Sequence, residues 1–440
     1  MFRTTSTFVI TAILAISIAY PQSTEKLRKE ADRLADQVEP KVIEWRHHIH
    51  ENPELSNREY ETAKYISAHL RSLGLDVQTG VAHTGVVGIL KGARQGPVIA
   101  LRADIDALPV PERVDLPWKS KAVGVYNGAE VPVMHACGHD THVAILMGTA
   151  EILTAMKDDL KGTIKFIFQP AEEGAPAGEA GGAKLMVEEG VLKNPDVDVI
   201  FGLHIWSTTE VGKIGYKPGG AMAAVNSFTI KVKGKQTHGS TPWTGIDPIV
   251  TSAMIINGLQ TIISRQTALT KEAAVISVGS IHGGLRSNII PEEVIMVGTI
   301  RTLDYDMRTK IHADIRRVAT SIAKSQNAEA IVTIDEGVPI TYNDPALTEK
   351  MLPSLQAAAG LENVILWKAI TGAEDFSFFQ EKIPGLYFFI GGMPKGMNPE
   401  EAAPHHTPDF YVDDDGMKLG MRAFSYLVFD YAEMFGTRKP

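Results

Sequence analysis

The sequence predicts an α/β fold, a mostly parallel sheet with covering helices into which a smaller α+β unit is inserted, and three observations predict it. Nearly continuous apolar runs at 98–101, 163–168, 197–203 and 386–390 read as strands buried on both faces. Helical stretches such as 143–156 fall between them, as parallel strands joined by crossovers require. From 219 to 337 the rhythm changes to β-α-β-β-α-β, the split βαβ order, which sets this segment apart as a domain of its own. The main domain is then 24–218 and 338–440.

Taken in order, the chain opens with Arg3, an apolar run over 8–19 and the small-residue site Ser17-Ile18-Ala19, the pattern of an export signal spanning 1–19. The run is shorter than the ~20 residues of a membrane-spanning helix, so the expected product is exported, periplasmic or secreted, with no stable membrane span after cleavage. Residues 25–51 read as a long helix that Asn52-Pro53 breaks. His47, His48 and His50 lie on it, one to three positions apart, and side chains so spaced on a helix do not converge on one ion. Structural or surface roles are expected for them. In the second domain, 228–232 is strand-like, and Asp247-Pro248 caps a helix running to about 266. Strands at 274–281 and 294–301, a helix at 306–324 and a last strand at 330–335 follow.

The 440 residues are 44% hydrophobic and 22% charged, an ordinary globular composition that excludes a disordered or fibrous chain. Lys and Arg number 43 against 52 Asp and Glu, for a net charge of −9 and no basic block, so nucleic acid is not an expected partner. Cys137 is the single cysteine, and no internal disulfide can form.

The chemistry gathers at strand ends. Cys137-Gly138-His139-Asp140 precedes the helix at 143, offering a thiolate and an imidazole that suit Zn, Mn or similar ions. Glu172-Glu173 follows the strand 163–168, His204 follows 197–203, and Asp104 and Asp106 follow 98–101. These are the carboxyl ends of buried strands, where open α/β sheets bind ligands. His405-His406 adds imidazoles near the C-terminus. Cys137, His139, Glu173, His204 and His406 make five donors, more than one tetrahedral catalytic ion takes from protein, which suggests two ions sharing a bridging ligand. Adjacent residues in extended chain point oppositely, so Glu172 beside Glu173 fits a carboxylate that moves the proton of an activated water.

Met134-His135-Ala136-Cys137-Gly138-His139-Asp140, Gln169-Pro170-Ala171-Glu172-Glu173-Gly174, the stretch from Arg102 to Pro109 and Gly372-Ala373-Glu374-Asp375-Phe376-Ser377 together resemble the M20 metallopeptidase family. They match its amidohydrolase branch, which includes hippurate hydrolases, N-acyl-amino-acid amidohydrolases and auxin-conjugate hydrolases. The resemblance implies a catalytic domain holding two divalent ions, Mn²⁺ or Zn²⁺, and a ferredoxin-like satellite domain that covers the cleft and mediates a homodimer. It carries over Cys137, His139, Glu173, His204 and His406 as ligands and Glu172 as general base. His406 is preferred to His405 because it stands two before Pro408. Asp106 is expected to orient a ligand from behind, and the role of Asp104 is left open. His238, in Thr237-His238-Gly239-Ser240, resembles the family histidine that stabilises the oxyanion, and Asn288 the residue that holds the substrate carboxylate. Trp243, in Thr241-Pro242-Trp243, replaces a family histidine.

The expected function is therefore metal-dependent hydrolysis of the amide bond of a small N-acyl amino acid. The alternatives are a dipeptidase or carboxypeptidase, a thiol hydrolase using Cys137, and a binding protein of the same fold.

Overall fold

The structure, a computed structural model, describes residues 22–435; the expected export signal over 1–19 lies outside them. Among the described residues no helix is long and apolar enough to cross a membrane. An eight-stranded sheet forms the larger unit, in the order Asp76–Val81, Gly85–Lys91, Lys161–Gln169, Arg94–Asp104, Val199–Glu210, Gly385–Met393, Ile214–Tyr216, Val364–Leu366. Its four middle strands, from Lys161–Gln169 to Gly385–Met393, are parallel, and antiparallel pairs flank them. The parallel strands are apolar without alternation because both faces are covered. On one face lie Gln22–Glu51, His139–Ala155 and Met417–Met434, with Phe166, Phe201 and Phe388 in the core beneath. The opposite face packs Phe376, Phe379 and Tyr387 against Met186 and Ile200.

Two boundaries differ from the sequence reading, and both bear on the site. The helix expected from 143 begins at His139. Gly138, at φ +87°, turns the chain into it, and a Cβ there would lie 2.5 Å from Ile205 Cγ2. His139, Asp140, Thr141 and His142 look like loop residues in sequence, yet all are buried because other elements partner them. Likewise the strand expected to stop at 203 continues to Glu210, since His204 and Trp206 stay in register opposite Phe389 and Gly391. His204 is thus inside a strand rather than after one.

The long N-terminal helix contains Pro40 and is bound to the site by its last turns. Arg46 Nε and His50 Nδ1 each lie 3.0 Å from Asp140 Oδ2. His47 stacks on Trp118 at 4.2 Å and meets Asp414 at 2.9 Å, whereas His48 is exposed. The three histidines therefore diverge, as their spacing dictates.

Residues 224–336 form a second sheet with its own core. Ala274–His282, Glu293–Thr302, Ala224–Lys233 and Glu329–Glu336 run antiparallel in that order, under Pro248–Thr261 and Tyr305–Ser325. Phe228, Ile230, Ile300 and Ile315 are fully buried between sheet and helices. Asp247 and Asp304 cap the two helices, each accepting from backbone N–H groups of the first turn. Gly219–Met222 and Thr341–Asn343, the segments entering and leaving this unit, pair with each other.

Candidate metal centre

The parallel strands deliver their polar residues to one edge of the sheet. Cys137 Sγ lies 3.4 Å from His204 Nε2 and 3.3 Å from His406 Nε2. Glu173 Oε1 lies 3.1 Å from His406 Nε2 and 3.9 Å from His139 Nε2. Glu172 Oε2 is 3.8 Å from the same His139 nitrogen. The structure therefore brings together all five expected donors and the expected base. His406, at φ +63°, is the member of the histidine pair that faces the cluster. His405 instead donates to the Ile205 carbonyl and packs on Trp206.

Two of the three imidazoles are aimed by their other nitrogen. His139 Nδ1 is 2.9 Å from the Asp106 carbonyl, and His204 Nδ1 is 2.6 Å from that of Ile205, so Nε2 of each is left for an ion. Asp106 works from behind. Its carboxylate accepts from the Glu172 and Glu173 backbone N–H groups at 3.1 and 3.0 Å and from the Ser56 hydroxyl at 2.6 Å. One buried side chain thus fixes the orientation of the adjacent glutamates.

The donors fit a cation on two grounds. His139 Nε2 is buried at the centre of the cluster and makes no hydrogen bond, an arrangement that costs free energy unless something else is bound there. The surroundings are also strongly negative. Burial, then Glu374 and Glu173, hold Glu172 well above the usual carboxylate range. Burial opposes charge on His139, but Asp104 and Asp106 prevail and push it up to about 10. Burial and Glu173 also push the Cys137 thiol well up, the reverse of what a thiolate nucleophile needs.

Several residues of the site were missed in sequence. His142, one helical turn beyond His139, has Nδ1 2.6 Å from Asp104 and accepts the Ile205 N–H at Nε2, so neither nitrogen is left for an ion. Asp104 also binds Arg102 Nη1 through its other oxygen, which assigns the residue whose role was open: it is an anchor. Arg102 is fully buried and reaches Glu374 and Asp375 at 2.9 and 3.0 Å. Glu59, a buried acid that burial and Asp106 raise to about 8, accepts the Ala171 N–H ahead of the glutamate pair. Its sequence position, far from every motif strand, gave no sign of this.

His238 and Asn288 are placed elsewhere. Both lie on the surface of the second unit, where Thr237–His238 pairs with Ile289–Ile290 and the Gly239 N–H donates to the Asn288 carbonyl. His238 Nδ1 accepts from the Ser240 N–H and hydroxyl, and Trp243 stands 78% exposed nearby in sequence. Neither His238 nor Asn288 lines the cavity of about 420 Å³ that opens on the cluster, whose walls include Trp206, Met222 and Ile370.

An α/β cleft that gathers thiol, imidazole and carboxylate donors around a free glutamate defines a metal-dependent hydrolase. The comparisons agree: residues 100–430 match peptidase family M20/M25/M40, and the chain belongs to this family of hydrolases. It is 42% identical over 412 residues to thermostable carboxypeptidase 2 of Saccharolobus solfataricus, covering 93% of this chain and 98% of that protein. It is 38% identical over 389 residues to N-acetylcysteine deacetylase of Bacillus subtilis, covering 88% and 96%. A solved structure of a dinuclear metal binding peptidase from the M20 family, also from Bacillus subtilis, superposes with a TM-score of 0.76 at 35% identity, covering 90% and 99%.

Proposed function

We propose that the chain hydrolyses the amide bond of N-acyl amino acids, with two Mn²⁺ or Zn²⁺ ions held by Cys137, His139, Glu173, His204 and His406. The observation that carries this reading is the convergence of those five donors with Glu172 standing 3.8 Å from His139 and free of the backbone hydrogen bonds that occupy Asp106. Bound ions would polarise the scissile carbonyl and lower the pKa of a water beside it. Glu172 takes the proton of that water and returns it to the leaving amine. Asp106 keeps both glutamates in place through their backbone N–H groups, and Trp206, Met222 and Ile370 give the cavity an apolar wall beside the amide. In this reading His238 donates to the oxyanion and Asn288 holds the substrate carboxylate.

A second reading, carboxypeptidase action, is favoured by the relative of that name at 42% identity. The two share the half of the substrate that leaves, an amine bearing an α-carboxylate. They differ only in the acyl arm. The test is product release from purified chain, stripped with chelator and resupplied with Mn²⁺ or Zn²⁺, on N-acyl amino acids, N-blocked dipeptides and free dipeptides. Metal-dependent release from the N-acyl series is the expected result. Cleavage confined to peptides would give the carboxypeptidase reading instead, and activity that survives chelation would sink both.

A further inference from the structure

A second cavity, of about 300 Å³, shares Glu173 with the first as a lining residue. Its wall includes Leu55, Leu108, Pro109 and Pro176 together with Tyr126 at the tip of a hairpin. That hairpin pairs Val123–Tyr126 with Ala129–Pro132 through a two-residue turn, Asn127-Gly128, with φ of +50° and +79°. It joins no larger sheet, and an isolated two-stranded hairpin is marginal by itself. Its base is seated on a small cluster of Leu55, Ala107 and Val133, and a Cβ at Gly124 would come within 2.9 Å of Leu55 Cδ1. The tip nonetheless leaves Val125 68% and Tyr126 46% exposed, apolar surface that the fold itself does not use.

We propose that this cavity is the acyl subsite, which takes the uncharged apolar acyl arm of the substrate against Tyr126; the assignment rests on the N-acyl amino acid reading above. Three observations select this occupant. The cavity adjoins the cluster through Glu173, so an amide placed at the ions extends one arm into each space. Glu172 lines only the larger cavity, and the arm that receives its proton, the leaving amine, belongs there. The lining gives the third: Leu55, Leu108, Pro109, Val125 and Tyr126 present apolar surface, which suits an uncharged arm. The volume stands at the low end of the ~300–1,000 Å³ of small-molecule pockets, suited to a compact acyl group.

The experiment uses the full chain loaded with Mn²⁺, assayed on a matrix in which acetyl, octanoyl and benzoyl groups vary at one amino acid and the amino acid varies at fixed acetyl. Tyr126→Ala removes the contact, and Ala177→Trp, on the exposed rim of the cavity, fills it. Both are expected to lower the benzoyl-to-acetyl ratio of kcat/KM about tenfold, the order that small changes in an apolar pocket produce, with a much smaller change in the ranking of amino acids. Melting curves check that each variant is folded. Equal scaling of every substrate, or a shift in amino-acid preference instead of acyl preference, overturns the subsite while leaving the proposed function intact. A wild-type chain that cleaves only dipeptides with a free amino terminus overturns the proposed function and, with it, the acyl occupant.

Discussion

The metal cluster and the surface around His238 are two histidine-bearing regions built on opposite principles. At the cluster three of the five donors have a second atom tied down: His139 to the Asp106 carbonyl, His204 to that of Ile205, Glu173 through its N–H to the Asp106 carboxylate. His238 sits exposed on a two-residue strand and is held by Ser240, two positions along. Binding an ion needs several ligands fixed at once, and burial in a rigid sheet edge supplies that.

The contrast can be broken in order of expected effect. Glu172→Gln keeps the shape of the base and removes its proton acceptor, so kcat is expected to fall by about 10²–10⁴, with metal content by elemental analysis close to wild type. Loss of metal in parallel would make Glu172 a ligand. His238→Ala is expected to lower kcat by about 10²–10³, the effect of removing an oxyanion donor, with metal affinity unaltered. Turnover within a few-fold of wild type would take the exposed histidine out of the chemistry and leave the cluster complete within the main unit. Asp106→Asn sharpens the comparison from the buried side. It sets an amide donor against one of the two backbone N–H groups, that of Glu172 or that of Glu173, and metal affinity, measured by competition with a chelating dye, is expected to weaken about 10–100-fold.

Much of this was legible in sequence because the chemistry is local to strand ends. Parallel buried strands read as unbroken apolar runs, and the polar residues just after them stood out; Glu172, Glu173 and His204 were found in this way. His142 was passed over, although its spacing from His139 places it on the same helix face. The hairpin was missed as well, despite Asn127-Gly128 between Val-rich flanks, the strongest short hairpin signal there is. Arg102 offered no such signal. A fully buried arginine is rare, and only the meeting of Asp104, Glu374 and Asp375 explains it.

By itself the sequence determined the α/β class, the β-α-β-β-α-β insertion and the donor residues, since periodicity and strand-end position are properties of the chain read in order. Tertiary structure alone decided that His142 spends both nitrogens on its neighbours, that Asp104 is an anchor, and that two cavities share Glu173. Those depend on which elements, hundreds of residues apart, come to lie within a hydrogen-bond length of each other. Arg46 with Asp414, or Arg102 with Glu374, shows that no local pattern encodes such a meeting.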